Sequence, residues 1–350
     1  MNILIVKLSS LGDVIHTLPA LAALRRHYPE ASIRWLVEEP AAELLEYYPG
    51  IDEVVVCSRR SWLRMLERPS CWPGLLREIR EFCVRLRRHH YDIVIDLQGL
   101  IKSAFWVALA RGQRKIGFAR SRELSWLVLN EKLPPYNPEQ HAVERYLQIP
   151  RYLGCNGENL EVQRFWTSAE AERMESKLRR ETTAGTGPLV VFHPVSRWPS
   201  KSWPVGNFAL LARELVRKHR ATVVMTGAAV DRGKVSRIIE QANISRVFNW
   251  AGSTNLRELA CLCRRAAVVV STDSGPMHLA AAVGTGVVGL FGPTAPWRTG
   301  PYGGGHVVLR ADLECSPCFR RNCQSMECMN ALEVDKVAQA VDYVLRRECP

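Results

Sequence analysis

The sequence predicts an α/β protein built from two doubly wound parallel sheets, one in each half of the chain. Three observations carry this. Nearly unbroken apolar runs recur along the chain, such as Asp92-Ile93-Val94-Ile95-Asp96-Leu97, as strands buried on both faces require. Helical periodicity fills the intervals between them. A polar stretch from about 167 to 188, ending Thr182-Thr183-Ala184-Gly185-Thr186-Gly187-Pro188, interrupts the alternation near the middle. The chain therefore divides into an N-terminal domain, 1–170, and a C-terminal domain, 185–350, with the last helix expected to pack back on the N-terminal domain. At 350 residues, each half is large enough for its own core.

In order, strands are predicted over 2–8, 32–37, 52–57, 92–97 and 114–118, then 188–193, 221–226, 247–250, 266–271 and 287–291. Among the helices, one runs from about Val14 to Tyr28, one from Asn207 to Arg220, and one from Asn255 to Arg265 with Asn255 and Glu258 as a capping pair. Ligands of open α/β sheets bind beyond the carboxyl ends of the strands. Two such domains facing each other would bring the first turn of each into one cleft.

Three turns then matter. Ser9-Ser10-Leu11-Gly12-Asp13 follows the opening strand; Gly12 permits close backbone approach, and Asp13 either caps the helix or serves as a base. His193-Pro194-Val195-Ser196 leads into Arg197-Trp198-Pro199-Ser200-Lys201-Ser202-Trp203-Pro204, where prolines stiffen the loop and two tryptophans flank Lys201. A fixed ammonium there suits a leaving phosphate. Ser271-Thr272-Asp273-Ser274-Gly275-Pro276-Met277-His278 joins a strand to a small-residue helix over 279–283, with Pro276 suited to the first helical position. Such a helix start offers unpaired N–H groups and positive dipole to an anion. An ordinary capped helix with a satisfied histidine accounts for that octapeptide equally well.

Composition narrows the class. Hydrophobic content of 47% and charged content of 23% fit a globular protein, and no apolar run reaches the length of a membrane span. The first residues lack a basic region and a small-residue cleavage site, so cytoplasmic residence is expected. Eleven cysteines, an odd number scattered through a long chain, fit reduced thiols. The net charge of +12 is uneven: Arg59, Arg60, Arg64, Arg68, Arg77, Arg80, Arg85, Arg87 and Arg88 face only Glu67, Glu78 and Glu81, a local excess of six. That field attracts phosphate-rich partners, whether nucleic acid, an anionic bilayer or a phosphorylated glycolipid.

The opening Ile5-Val6-Lys7-Leu8-Ser9-Ser10-Leu11-Gly12-Asp13-Val14-Ile15-His16-Thr17-Leu18-Pro19-Ala20-Leu21 resembles the ADP-heptose glycosyltransferases of lipopolysaccharide inner-core synthesis. So do Asp96-Leu97-Gln98-Gly99-Leu100-Ile101-Lys102-Ser103, Lys201-Ser202-Trp203-Pro204 and Asp273-Ser274-Gly275-Pro276-Met277-His278-Leu279, in matching order and spacing. The Lys-Leu-Ser-Ser-Leu-Gly-Asp opening is most similar to the branch that adds the first heptose.

The resemblance implies a GT-B fold of two Rossmann-like domains around a cleft. It implies inverting transfer of L-glycero-D-manno-heptose from ADP-heptose to Kdo of Kdo-lipid A, at the inner face of the inner membrane. By position, Asp13 matches the general base and Lys201 the phosphate-neutralising lysine. Ser196, Thr254, Asp273, Ser274, Gly275 and His278 match donor contacts; Ser10, Gly12, Gln98, Arg59, Arg60 and Arg64 fall on the acceptor side. Val195 stands where a second threonine is frequent, Trp198-Pro199 lengthens the loop, and 227–231 diverges where the ribose would be held. Inverting transfer needs a base near the acceptor and positive charge at the leaving diphosphate. No Asp-x-Asp motif occurs, so metal-independent leaving-group stabilisation is expected, with no cofactor.

Other readings compete. Asp273-Ser274-Gly275 matches the aspartic-protease triplet, but a helix follows it. The stretch from Gly227 to Lys234 misses the phosphate-loop spacing, with Val235 in place of the hydroxyl. A second-heptose or other nucleotide-sugar transferase of the same family is the near alternative. The distant one is a zinc-knuckle nucleic-acid-binding protein, because Cys315, Cys318, Cys323 and Cys328 have the spacing C-x2-C-x4-C-x4-C beside Arg320 and Arg321. The main reading expects no nucleic acid.

Overall fold

Strand β1 (Asn2–Val6) takes the middle of the first sheet because Ile3, Leu4, Ile5 and Val6 are apolar on both faces and fully buried. The computed structural model describes residues 1–156, 164–182 and 187–348. They fall into two units, Met1–Gln163 and Arg164–Pro350.

The first unit adds β2 (Ser32–Glu38), β3 (Glu53–Cys57), β4 (His90–Asp96), β5 (Arg111–Phe118) and β6 (Glu131–Leu133). All pair in parallel, in the order β3-β2-β1-β4-β5-β6. The second holds β7 (Leu189–His193), β8 (Thr222–Met225), β9 (Val247–Asn249), β10 (Val268–Thr272), β11 (Val287–Phe291) and β12 (Val307–Arg310). Its order, β12-β11-β10-β7-β8-β9, is the same winding. In each unit the chain reverses its progress across the sheet after three strands. The crevice this leaves lies between β1 and β4 in one unit and between β7 and β10 in the other.

Two strands lie beyond the ten predicted. β6 is a three-residue edge with two charged residues, and β12 is a half-exposed edge, so neither carries a buried-strand pattern. The polar stretch near the middle is not a linker throughout. Helix Ser168–Glu181 occupies it, opened by a capping box between Thr167 and Glu170. Glu170 pairs with Arg257 at 2.8 Å and Glu175 with Arg265 at 3.0 Å, which ties this helix to the second unit. Residues 183–186 of the expected junction lie outside the described residues.

Helix Leu11–His27 starts three residues earlier than predicted and is buried at Val14, Ile15, Leu18, Leu21 and Leu24. Helix Ala142–Tyr152 packs against it. Burying each such leucine contributes about 2 kcal/mol. In the second unit, Trp203 and Phe208 meet edge to face at 4.9 Å within the core, and the Trp203 indole donates to the Leu332 carbonyl at 2.9 Å. The last helix, Val334–Glu348, puts Val337, Val341 and Val344 into that same core. Its Asp342 accepts from Lys218 and His219 at 2.5 and 2.7 Å. These apolar residues, Val337, Val341 and Val344, pack within the second unit.

Candidate active site

In the first unit the chain leaves β1 and turns through Lys7–Ser10 into helix Leu11–His27. Gln98, just past β4, fixes this turn: its side-chain oxygen accepts the N–H groups of Leu8 and Ser9, both at 3.0 Å. Ser10 then donates its N–H (3.0 Å) and hydroxyl (2.8 Å) to one oxygen of Asp13. Tyr146, delivered by helix Ala142–Tyr152, donates to the other at 3.2 Å. Gly12 is buried in the first helical turn between them.

Lys7 lies beneath, 2% exposed, donating to the Tyr146 oxygen at 2.7 Å and to the Leu97 carbonyl at 2.9 Å. Burial pulls its ammonium down to about 8, against the pull of Asp13 and Asp96. Desolvation pushes Asp13 up, but Lys7 and the Ser10 and Tyr146 hydrogen bonds outweigh it, so the carboxyl titrates below its ordinary range. Asp96 goes the other way: burial raises it despite hydrogen bonds from the Gly99 and Gln98 amides and Ser103. A half-buried, ionised carboxylate thus sits at the crevice of this unit, capping a helix and available as a base at once.

Around it, Lys102 reaches Ser9 and, at 3.2 Å, the buried Glu38, which Arg59 also approaches at 3.7 Å. Arg60 and Arg64 are exposed on helix Arg59–Leu66, while Trp62 between them is buried against Phe82 and Trp106. A cavity beside Gln98 and Tyr146 is also lined by Phe118, Ser121, Tyr136 and Arg145. The Arg145 guanidinium lies 5.0 Å over the Tyr136 ring.

In the second unit, Lys201 closes the short turn Pro199–Lys201 after β7 and donates to Asp273 at 2.6 Å. Both are largely buried, at 14% and 7% exposure. Thr294 donates to the same Asp273 oxygen at 2.7 Å, and His278 lies 3.8 Å from the other. Helix Gly275–Ala282 begins directly after Ser274, with Pro276 in its second position rather than its first. The Ser274 hydroxyl pairs with that of Ser271 at 3.1 Å. Ser196 accepts the Trp198 N–H at 3.4 Å, and Thr254 is half-buried ahead of helix Leu256–Arg265, which Asn255 and Glu258 cap as predicted. Burial holds His193 down at about 4, aided by Lys234, so it is neutral beside Thr226. In the 227–231 stretch, Asp231 accepts the Ala228 N–H at 2.8 Å.

One expectation is corrected here. Lys201 is not held between two tryptophans: its ammonium lies 4.4 Å from the Trp198 ring, while Trp203 turns into the core. Burial pushes the Cys328 thiol up, and Cys315, Cys318 and Cys323 lie close enough to it for their charges to raise it further. No group of three or more His, Cys, Asp or Glu is arranged to hold a metal among the described residues, and Cys328 is buried while Cys315 and Cys323 are exposed. The sequence reading also missed Lys7, Tyr146 and Thr294 as partners of the two aspartates. A lysine ending the apolar run Ile3-Leu4-Ile5-Val6 was a readable signal for the first; Tyr146 carried none.

Residues 79–329 match the model of glycosyltransferase family 9 (heptosyltransferase). Lipopolysaccharide heptosyltransferase 1 of Pseudomonas aeruginosa is 34% identical, over 92% of this chain and 87% of the relative. Its counterpart from Escherichia coli K12 is 30% identical, over 90% and 95%. Among solved structures, the E. coli heptosyltransferase WaaC with ADP superimposes with a TM-score of 0.80 at 28% identity, covering 98% of this chain and all 100% of that one. E. coli heptosyltransferase II, at 23% identity and a TM-score of 0.78, shares the GT-B fold.

Proposed function

Because the chain belongs to glycosyltransferase family 9, we propose that it transfers L-glycero-D-manno-heptose from ADP-heptose to Kdo of Kdo-lipid A, with inversion. The relatives named lipopolysaccharide heptosyltransferase 1, and the likeness to an ADP-bound heptosyltransferase, favour this over a second-heptose or other nucleotide-sugar activity. The observation that carries the reading is Asp13, kept ionised by Lys7, Ser10 and Tyr146 at the crevice of its unit.

In one displacement, a Kdo hydroxyl oxygen bonds to the anomeric carbon as the bond to the diphosphate breaks, and ADP departs with the electron pair. Asp13 accepts the hydroxyl proton. Lys201 and the amides at the start of helix Gly275–Ala282 meet the charge that develops on the diphosphate, with Ser196, Ser274, His278 and Thr254 as donor contacts. Arg59, Arg60 and Arg64 meet the acceptor's phosphates and carboxylates through their planar forks.

The acceptor is a lipid, so the enzyme docks on the anionic inner face of the inner membrane. Exposed arginines support this, as do the exposed apolar residues Leu66 (53%), Trp72 (51%) and Leu76 (69%) between them. No described helix is long and apolar enough to cross a membrane.

The test is mass spectrometry of the product from ADP-heptose and short-chain Kdo-lipid A, with GDP- and UDP-sugars as controls. One heptose added, from the ADP donor alone, is expected. Transfer only from another nucleotide sugar, or none at all, refutes the assignment.

A further inference from the structure

The cysteine-rich segment 315–328 has no work in the reaction above, yet three anchors fasten it over the carboxyl ends of the second sheet. The Ser316 hydroxyl donates to the Gly292 carbonyl at 2.6 Å, just after β11. The Phe319 N–H donates to Pro293 at 2.8 Å, one residue before the Thr294 that holds Asp273. Ser200, 1% exposed and next to Lys201, donates its hydroxyl to the Arg320 carbonyl at 2.6 Å and its N–H to that of Arg321 at 3.3 Å. Arg321 is therefore carried to the Lys201 turn by fixed backbone contacts. Its guanidinium lies 5.5 Å from the centre of the Trp198 ring, and the Lys201 ammonium 4.4 Å from the same ring. The two cations are consequently no more than about 10 Å apart.

Charge decides what this implies. Lys201 is paired with Asp273, so together they present no net charge to a diphosphate that leaves with at least two negative charges. Among the described residues Arg321 makes no ion pair and is exposed. From this geometry we infer that Arg321 is a second cationic subsite for the donor's diphosphate, and that the cysteine-rich segment serves to present it beside Lys201. The inference rests on reading the Lys201 turn as the diphosphate site. A guanidinium suits the task, because its fork pairs with two phosphate oxygens at once. The Trp198 face limits the conformations of both cations before the ligand arrives.

Calorimetric titration of the full chain with ADP and with AMP tests this, with melting curves for every variant. Arg321→Gln is expected to weaken ADP about tenfold while AMP weakens much less, at an unchanged melting temperature. Arg321→Lys recovers part of the loss, keeping the charge but not the fork. Ser200→Ala, which touches no ligand, gives a smaller loss in the same direction. ADP binding by Arg321→Gln that equals the wild type overturns the inference while leaving the donor-site reading intact. So does an equal loss for ADP and AMP together with a lower melting temperature, which marks a structural residue. Wild-type protein that binds neither nucleotide overturns both.

Discussion

Replacing Lys7 by methionine tests how Asp13 is kept ready to accept a proton. The substitution keeps the length and apolar stem of the side chain and deletes its charge. Lys7 and the Asp13 oxygen that Tyr146 meets are joined through the Tyr146 hydroxyl by hydrogen bonds of 2.7 and 3.2 Å, so they are at most about 6 Å apart. At that separation and an effective dielectric of about 20, a unit charge pair is worth roughly 3 kcal/mol. Losing it makes the carboxylate about a hundredfold more avid for a proton. The acid limb of the kcat/KM profile with ADP-heptose should move toward neutrality accordingly, while activity near pH 8 falls much less. Stability supplies an independent readout. Folded Lys7 releases its proton at about 8, against 10.5 for the free side chain, so between these values the unfolded chain binds more protons. Lys7 thus makes stability rise with pH across that window, and the variant should lack this contribution. An acid limb identical in wild type and Lys7→Met would refute the claim that Lys7 holds Asp13 ionised.

The other predictions separate the remaining roles. Asp13→Asn keeps a capping side chain but not a base: kcat should fall roughly a thousandfold with ADP affinity unchanged, and near-normal turnover removes Asp13 from the chemistry. Lys201→Met should raise the donor KM and lower kcat together, and cost about 3 kcal/mol in stability by leaving Asp273 buried with Thr294 as its remaining strong donor. ADP titration and thermal melts read the two effects. Gln98→Leu strands the N–H groups of Leu8 and Ser9 and should cost about 2 kcal/mol, with kcat falling because the Asp13 turn loosens. Unaltered kcat would show that Gln98 does not brace the Asp13 turn for turnover. Binding to anionic vesicles should weaken steeply as salt rises, and co-sedimentation indifferent to ionic strength would exclude electrostatic docking.

The fold was legible where burial writes itself into composition. Runs such as Ile3–Val6 and Val268–Val270 are apolar on both faces, which is how a central parallel strand reads; β6 and β12 are edges and carry no such mark. The helix at Ser168–Glu181 was hidden by its polarity, since few of its residues face a core and its ties are ion pairs to Arg257 and Arg265. At the site, residues close in sequence were readable: Ser10 with Asp13, and Asn255 with Glu258, obey capping geometry three residues apart. Long-range partners were not. Tyr146 meets Asp13 across 133 positions and Thr294 meets Asp273 across 21, and no local pattern announces either.

Both units place a lysine near an aspartate at the crevice of the same winding, through Tyr146 in the first and in direct contact in the second, yet exposure gives the two pairs opposite uses. In the first, the lysine is sealed at 2% exposure while Asp13 stays half-buried, so the carboxylate alone can meet a substrate. The cation beneath serves to keep it unprotonated. In the second, Asp273 is the deeper partner at 7% against 14%, and it is gripped by Thr294 as well. There the carboxylate steers the ammonium and cancels its charge, leaving a lysine of fixed position that attracts no anion at long range. A site arranged in this way discriminates poorly by charge until a further cation joins it. The arginine carried by the cysteine-rich segment is the group that the arrangement calls for, which gives a physical reason for anchoring that segment to Ser200.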